Sequence, residues 1–583
     1  MATSVIPQTS RRVLVIPLIR VTPSLTALSY NVPAGLEVSP GGCVQIPFRT
    51  KTIEGIVWAE DTTKKRKGTK SILSRKENFC LTTEQLAIAK WLQQQTLTPL
   101  NIILRSMVLG ERRESQTKSR AQSKVTIVEC PTGLARQKVL MKWSQRIAAK
   151  VAYTLIVVPN QGAASQWMAL LKNLKPLHIV PPRGATAQRR LLTDLRATKT
   201  YITTHAGLLY PLPPIDRVIL DLADDEGYFA FDQAPRVDLR ALTITFARAH
   251  CAALLVLTRW LSPAVVGTLG SSEATRIGER PVAILIDRQN EPPGERGHLP
   301  PSYLLERLQK TRTLWLHSQT SEAGRYVCSD CGTAVLCPTC TTPLRVRSRN
   351  PLILECVRDH LKIAAPSTCT HCKGTKLSTR GPGIQQVART IAELTGSQTV
   401  ATLERGTVQG DLESALHVVS TTAIGSYPAL TFAAAVILQP DSYFSQQGYR
   451  SAEQFFSAFA LARAAVTPQG SLFIVTYKPE TLAYTFLNNP NSWTDQTLRE
   501  RAELNYPPAG TMVVLQPRKR VTNPTPQPFH EMHIPNGISK VIIKNSWLLR
   551  AANLKHDALL QCIQQYLDPS WEAIVNPPAL PQD

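Results

Sequence analysis

The 583-residue sequence lacks any apolar run near the ~20 residues a membrane span requires; one of its longest, around Ala433–Leu438, falls far short. Its first residues, MATSVIPQTSRR, contain no apolar core of a secretory leader, so neither a membrane nor an extracellular setting is expected. Acidic residues are scarce as well. Asp and Glu number 42 against 66 Lys and Arg, a formal charge of +24. Such an excess repels itself unless a polyanion shares the surface, which puts nucleic acid first among partners. The plainer alternative is an interior that tolerates basic proteins. Hydrophobic content of 43% with 19% charged residues describes a folded chain, and its length implies several domains.

Turn chemistry and β-branched runs (RRVLVIPLIRV, SYNVPAG, SPGG, CVQIPF) predict a small β domain over 1–62. The stretch Lys64 to Lys76, headed by Lys64, Lys65, Arg66 and Lys67, has seven positive charges and no acid. It reads both as a solvated linker and as a phosphate-tracking loop. LTTEQLAIAKWLQQQT, capped by Thr82 or Thr83, and TPLNIILRSMVLG predict a helical module over 77–112. After a polar linker, TIVEC, YTLIVVP, TYITT, RVILDL and ALLVLT alternate with amphipathic segments, which predicts a parallel α/β unit over 120–275. A second α/β unit opens at 276–326 and resumes at 377–482 with TVATL, LHVVST, AAAVILQ and SLFIVTY, and a small α+β unit spans 495–583.

Seven of the 12 cysteines fall between Cys328 and Cys372, dividing the second α/β unit at 327–376. Cys328-x2-Cys331, Cys337-x2-Cys340 and Cys369-x2-Cys372 each place two thiolates on one tight turn, as zinc requires, and Cys356 stands alone. Two four-ligand sites need eight donors. Either Asp359 or His360 can supply the eighth, with an empty second site as the alternative. Closed four-ligand sites stabilise folds and leave no open position for catalysis, so one or two structural Zn²⁺ are expected. His371 is expected to point outward.

SYNVPAGLEVSPGGCVQIPF, the zinc layout, GPGIQQVARTIAEL and LNYPPAG together resemble the PriA (primosomal protein N′) replication-restart family. The resemblance covers nearly the whole chain. It implies a multidomain α/β fold of two RecA-like helicase lobes with an inserted zinc-binding module. A small β DNA-binding domain and a winged-helix module at 77–112 would precede the lobes, and a small α+β domain would follow. The expected ligand sets are Cys328, Cys331, Cys369 and Cys372 for one zinc, and Cys337, Cys340, Cys356 with Asp359 or His360 for the other. Members of the family are superfamily 2 helicases whose N-terminal domain captures the 3′ end of a leading strand. The family's aromatic-Asp-Tyr pocket motif corresponds here to Leu28-Ser29-Tyr30, so the acid is replaced by Ser29 and Tyr30 remains as a DNA contact.

The motor motifs depart further. A phosphate-binding loop needs glycines, a Lys and a hydroxyl on Mg²⁺; here it reads Pro131-Thr132-Gly133-Leu134-Ala135-Arg136-Gln137-Lys138. Gly133 stands where a glycine belongs, Ala135 replaces the second glycine, and Arg136 and Gln137 replace the Lys and the hydroxyl residue. Using Lys138 instead does not restore the loop. The Asp-Glu-x-His strand end reads Asp221-Leu222-Ala223-Asp224, keeping the Mg²⁺ ligand Asp221 and losing the base, with Asp225 and Glu226 expected to face solvent. Ser-Ala-Thr becomes Thr258-Arg259-Trp260, and Arg463 is the one arginine left for an arginine finger.

Losing a clamp, a base and a finger together removes several terms worth orders of magnitude each. The reading is a scaffold that binds forked or single-stranded DNA without ATP-driven unwinding, with retention of bound ATP left open. Arg236 and Arg240, beside Tyr228, Phe229 and Phe231, read as a loop for stacking on single-stranded bases, with a packed surface loop as the alternative. Trp58, Trp143, Trp167 and Trp260 read as core or half-core residues. Single-strand-binding protein and a helicase loader are the expected partners of a monomer in the cytoplasm, at the nucleoid. A divergent active 3′-to-5′ helicase and a zinc-ribbon scaffold, on RNA among other ligands, are the alternatives.

Overall fold

Period-two alternation builds the N-terminal sheet: in the computed structural model Val13 and Val15 of the strand Arg12–Pro17 are buried while Arg12 and Leu14 are half-exposed. The structure describes residues 11–19, 27–62, 69–110, 124–149, 152–230, 234–270, 273–289, 291, 299–318, 323–328, 330–331, 333–341, 343–349, 351–356, 361–395, 399–404, 407–444, 448–518, 535–543, 546–567 and 570–578. Five antiparallel strands lie in the order Leu28–Asn31, Arg12–Pro17, Lys51–Glu60, Gly42–Phe48, Ser74–Cys80. Gly55 allows a close crossing, because a Cβ there would stand 2.5 Å from Val15 Cγ1.

The helix Thr83–Thr96 starts with a capping box, in which the Thr82 hydroxyl accepts from the Gln85 amide and the Gln85 side chain accepts from the Thr82 amide. Gln85 Nε2 donates to the carbonyls of Val108 and Leu209, both at 2.9 Å, and Ile88, Leu92, Ile103 and Leu104 join the same core as Leu242 and Phe246. The helical segment expected over 77–112 thus contains the helices Thr83–Thr96 and Leu100–Ser106, packed into this core. Ser74–Cys80 crosses its start and pairs with Gly42–Phe48. Among the described residues, no third helix or wing strand lies between Ser106 and Val125.

The chain divides into two units, one of Met1–Val128, Leu140–Thr275 and Thr494–Asp583, the other of Glu129–Val139 and Arg276–Trp493. In the first, a seven-stranded sheet runs Thr275–Arg276, Val125–Glu129, Ala253–Thr258, Arg217–Leu220, Thr154–Val157, Thr200–Thr203, Leu177–Ile179. Its ladders from Ala253–Thr258 to Leu177–Ile179 are parallel. Strands such as Thr154–Val157 are buried throughout, as parallel strands covered on both faces must be. The C-terminal part of this unit is an antiparallel sheet (Ile538–Ile543, Ser546–Ala552, Gly510–Pro517, Trp571–Val575) packed with the helix His556–Tyr566.

The second unit has its own seven-stranded sheet: Ala283–Asp287, Val466–Thr476, Phe432–Leu438, Thr313–His317, His417–Ser420, Val400–Glu404, Thr407–Gln409. It is parallel except for the last hairpin. Trp315, Val436 and Phe473 pack with Val387 and Ile391 of the helix Ile384–Thr395. Between Thr313–His317 and that helix the chain builds a smaller antiparallel sheet of five strands, Lys362–Ala364, Leu352–Glu355, Arg345–Arg349, Ala323–Cys328 and Leu377–Pro382. The cysteines sit on the turns of this sheet. The chain is therefore multidomain α/β with parallel sheets. No helix among the described residues is long and apolar enough to cross a membrane.

Candidate functional site: a cysteine centre, a closed loop and the N-terminal sheet

Two knuckle turns carry the first cysteine group. The Cys328 amide donates to the Thr333 carbonyl at 2.9 Å and the Cys369 amide to the Gly374 carbonyl at 2.8 Å, curling each C-x2-C pair so that both sulfurs face one point. The sulfurs of Cys328, Cys331, Cys369 and Cys372 lie within 4.8 Å of one another, with Cys328–Cys372 at 3.5 Å and Cys331–Cys369 at 3.7 Å. A ZnS₄ tetrahedron with bonds of about 2.3 Å has edges of about 3.8 Å, whereas a disulfide needs about 2.05 Å. The spacing fits a metal and excludes a bridge. Hydrogen bonds from the Thr333 side chain and backbone hold the Cys331 thiol down to about 6. Cys372 is pushed up to about 12 although the Gly374 amide donates to its sulfur, because Cys331 and Cys328 stabilise its protonated form. A bound cation would discharge these protons and close the four-ligand set, supplying structure and no reactive position. His371 is exposed.

Cys337, Cys340 and Cys356 form a second group within 4.8 Å, with Cys340–Cys356 at 3.4 Å. Asp359 and His360 lie outside the described residues, so three thiol donors of this group are described. Soft sulfur donors at this spacing suit zinc here too.

The loop expected to bind nucleotide is closely covered by the chain itself. The strand Val125–Glu129 leads through Thr132 into the helix Gly133–Ala149, the layout of a phosphate-binding loop. Thr132 Oγ1 accepts the Ala135 amide at 3.2 Å and the Thr132 carbonyl accepts the Arg136 amide at 3.0 Å, so amides that would cradle a phosphate are already used. Carbonyl oxygens stand over the glycine: a Cβ on Gly133 would be 2.9 Å from the Ala464 oxygen and 3.7 Å from the Pro428 oxygen. Gly278 closes the next gap, its Cβ position 2.9 Å from Ala135 Cβ. Arg136 is 3% exposed, and Gln137 faces solvent. At the strand end, the buried Glu129 carboxylate accepts from Arg280 at 2.5 Å and 3.0 Å, from Arg276 at 3.4 Å and from Asn491 at 3.2 Å. Arg463, in the helix Ser451–Ala465, is 1% exposed with its guanidinium 5.1 Å from the Phe459 ring.

The acids after Arg217–Leu220 are also engaged. Asp221 is fully buried and accepts the Trp167 indole at 2.8 Å. Leu222 follows with φ of 54°, a left-handed conformation unusual for a bulky residue. Asp224 accepts from the Thr258 hydroxyl at 3.0 Å, from the Arg259 amide at 2.8 Å and from Arg259 Nε at 2.6 Å, while Arg259 also donates to Asp225 at 3.1 Å. Asp225 is thus tied to Arg259, a correction to its expected solvent-facing role; Glu226 is exposed. Burial opposes the charge on Arg259, and the two carboxylates more than offset it, raising its pKa.

Arg240 is 2% exposed, donates to Asp238 and to the carbonyls of Ala223 and Asp225, and lies 4.3 Å from the Phe229 ring. It is a structural clamp, which corrects its reading as a DNA contact. Arg236 is half-buried and paired with Glu572 at 3.1 Å, while Tyr228 is buried and Phe231 lies outside the described residues. Base stacking by this loop is therefore not built by Tyr228, and the alternative of a packed loop is the one its described residues follow. Trp167 and Trp260 are fully buried, Trp58 packs partly buried against the same core, and Trp143 is half-buried.

In the N-terminal domain, Tyr30 is 4% exposed in the sheet core and donates to the Pro47 carbonyl at 3.1 Å; burial raises its pKa. Its reading as a direct DNA contact is corrected. Beside it the Ser29 hydroxyl donates to the Asp61 carboxylate, which Arg12 approaches to 3.4 Å. The position that lost its acid therefore has a carboxylate brought to it from another strand end. Lys64, Lys65, Arg66 and Lys67 lie outside the described residues.

Residues 18–108 match the PriA family's domain described as 3′DNA-binding domain (3′BD), a span that takes in four of the five strands of the N-terminal sheet and the two following helices. Replication restart protein PriA of Rickettsia conorii is 21% identical over 428 residues, covering 65% of this chain and 65% of that protein. Its counterpart in Haemophilus influenzae is 23% identical over 433 residues, covering 68% of this chain and 58% of that protein. These matches support assigning the chain to the PriA family. The chain spans less than two thirds of the length of these PriA relatives. The NS3-like helicase from Alongshan virus superposes at a TM-score of 0.31 and 10% identity, over 61% of this chain and 74% of that one, too loosely to support an argument.

Sequence reading missed Asp61, Glu129, the bond from Trp167 to Asp221 and the pairing of Asp224 with Arg259. Each acts on a partner tens to hundreds of residues away, where no spacing rule reaches. The one available signal was an arginine at the coupling position, Arg259, beside an unexplained second acid, Asp224.

Proposed function

We propose that the chain acts in replication restart as a DNA-binding scaffold that engages forked or single-stranded DNA and recruits primosome components without ATP-driven unwinding. One contrast carries the reading: the segment matching the 3′ DNA-binding domain is folded and pairs Ser29 with Asp61, while the loop expected to bind nucleotide is capped from within by Thr132 and covered by the Ala464 carbonyl. Phosphate oxygens brought to that loop meet a carbonyl oxygen and amides already bonded, and Arg136 is held inside rather than extended toward a ligand. The affinity for DNA comes from a net charge of +24 and falls steeply with salt. One or two zinc ions hold the cysteine module, the chain works as a monomer at the nucleoid, and single-strand-binding protein and a helicase loader are its partners.

The test is ATP turnover with and without a forked DNA, beside fork binding by the same sample. Tight binding with turnover at the blank supports the scaffold. DNA-stimulated turnover overturns it.

A further inference from the structure

A basic surface lies on the first unit. It surrounds Leu177–Ile179, the edge strand of the seven-stranded sheet, and the helix Ala185–Ala197 beside it. Leu191 and Leu195, one turn apart, bury the inner face of that helix in the core with Ile179 and Tyr201. The Tyr201 hydroxyl lies 2.7 Å from the carbonyls of both Leu195 and Thr198, fixing the helix end. With the inner face fixed, Arg189, Arg190 and Arg196 are all turned to solvent.

Charge on this surface is nearly all of one sign. At one end of the helix Arg183 precedes Gly184, whose φ of 88° opens a helix start with no side-chain cap. At the other end Thr198 Oγ1 donates to the Lys175 carbonyl at 3.4 Å, which brings exposed Lys172, Lys175 and Lys199 toward Arg196. Asp194 is the one acid between 172 and 199, and its ion pair with Arg190 is long at 3.9 Å, with the arginine side chain 86% exposed. Such a pair contributes little, so it leaves Arg190 turned to solvent.

We infer that this face, the helix Ala185–Ala197 with the flanking cations, binds the phosphate backbone of duplex DNA. The inference rests on the proposed function and adds a second contact to it. Thirteen helical residues span about 20 Å, enough to bridge phosphates on either side of a major groove about 12 Å wide. Between 172 and 199 the sequence has no Phe, Tyr or Trp; the two rings beside these cations, His178 and Tyr153, are half-buried. A surface built for single strands would offer rings for bases to stack on; one built for a duplex needs only cations and amides for phosphates. The face therefore holds the double-stranded arm of a branched substrate while the N-terminal domain attends to the end.

Salt titrations of binding, with a blunt duplex and a 3′-ended single strand as separate probes, test this on the full chain. In R189A/R190A/R196A the log–log salt slope for the duplex becomes shallower by roughly 3, since each lost phosphate contact removes about 0.9. The single-strand slope keeps its wild-type value. D194N, which removes the lone acid, tightens duplex binding. Alanine favours helix, and a melting curve of the triple variant confirms that it is folded. An unchanged duplex slope overturns the inference, as does an equal loss on both probes. A wild-type protein that binds neither probe overturns the proposed function itself.

Discussion

Arg259 donates to Asp224 at 2.6 Å with both side chains almost sealed from solvent, 5% and 0% exposed. In a motor of this family the Asp224 position belongs to a strand end that manages metal and water, and the Arg259 position couples it to movement. Here each satisfies the other, and Thr258 and Asp225 complete the network.

Removing one partner of such a pair leaves a buried charge alone. Arg259→Met is expected to destabilise the first unit by about 3–5 kcal/mol, because Asp224 loses its cation in a sealed site. Urea unfolding checks this. The double change Arg259→Met with Asp224→Leu is expected to recover much of the loss, since neither charge then remains. A single variant as stable as wild type would show that water reaches the pair and that the network holds little.

Restoring the loop's letters is not expected to restore its chemistry. In Ala135→Gly/Arg136→Lys/Gln137→Thr the glycine, lysine and hydroxyl residues return, yet the Ala464 carbonyl still stands over Gly133 and the Glu129 cluster still fixes the strand end. ATP turnover of the triple variant stays at the blank, with and without DNA. Turnover above the blank would mean that side-chain identity alone had silenced the site.

The parts of this fold legible in sequence are those governed by local periodicity. TIVEC, YTLIVVP, TYITT, RVILDL and ALLVLT are short, largely buried runs; the last four each contain a strand of the first parallel sheet, and TIVEC overlaps Val125–Glu129 in all but the strand's first residue. Leu177–Ile179 escaped because three residues, one of them a histidine, give no period to read. The cysteine pairs were legible because a C-x2-C turn is local. Arg240 and Tyr30 misled for the opposite reason. A charge or a ring looks like a ligand contact in sequence, and only the fold reveals Asp238 and the Ala223 carbonyl around the one and the Pro47 carbonyl beside the other. The closed loop was half legible: the substitutions were visible, whereas the covering segment lies hundreds of residues later.

Metal removal is expected to act locally. The cysteine module has a small core around Leu344, Val346 and Leu354, too few residues to order its sheet alone. Metal analysis of the purified chain should give one to two zinc per chain. A strong chelator should then abolish hydrogen-exchange protection of Ala323–Cys328 and Leu352–Glu355 while leaving Thr154–Val157 and Phe432–Leu438 protected. Cys369→Ser reproduces the effect without chelator. A chain that holds no metal and keeps its module protected would remove zinc from this account.

His417 gives the second unit a pH limit. It is fully buried on the strand His417–Ser420, its Nδ1 accepting the Trp315 indole at 3.4 Å, and burial lowers its pKa from 6.5. A proton on Nδ1 would set two N–H donors against each other. The unfolded chain takes up that proton as pH falls through about 6.5 and the folded chain does so only at lower pH, so stability declines from about 6.5 downward. Each unit by which the folded pKa is lowered contributes about 1.4 kcal/mol to this decline. Hydrogen exchange of His417–Ser420 at pH 7.5 and pH 5.5 is expected to show faster opening at the lower value in wild type and a smaller difference in His417→Asn, whose amide does not titrate. An equal acceleration in both proteins would assign the pH limit to other groups.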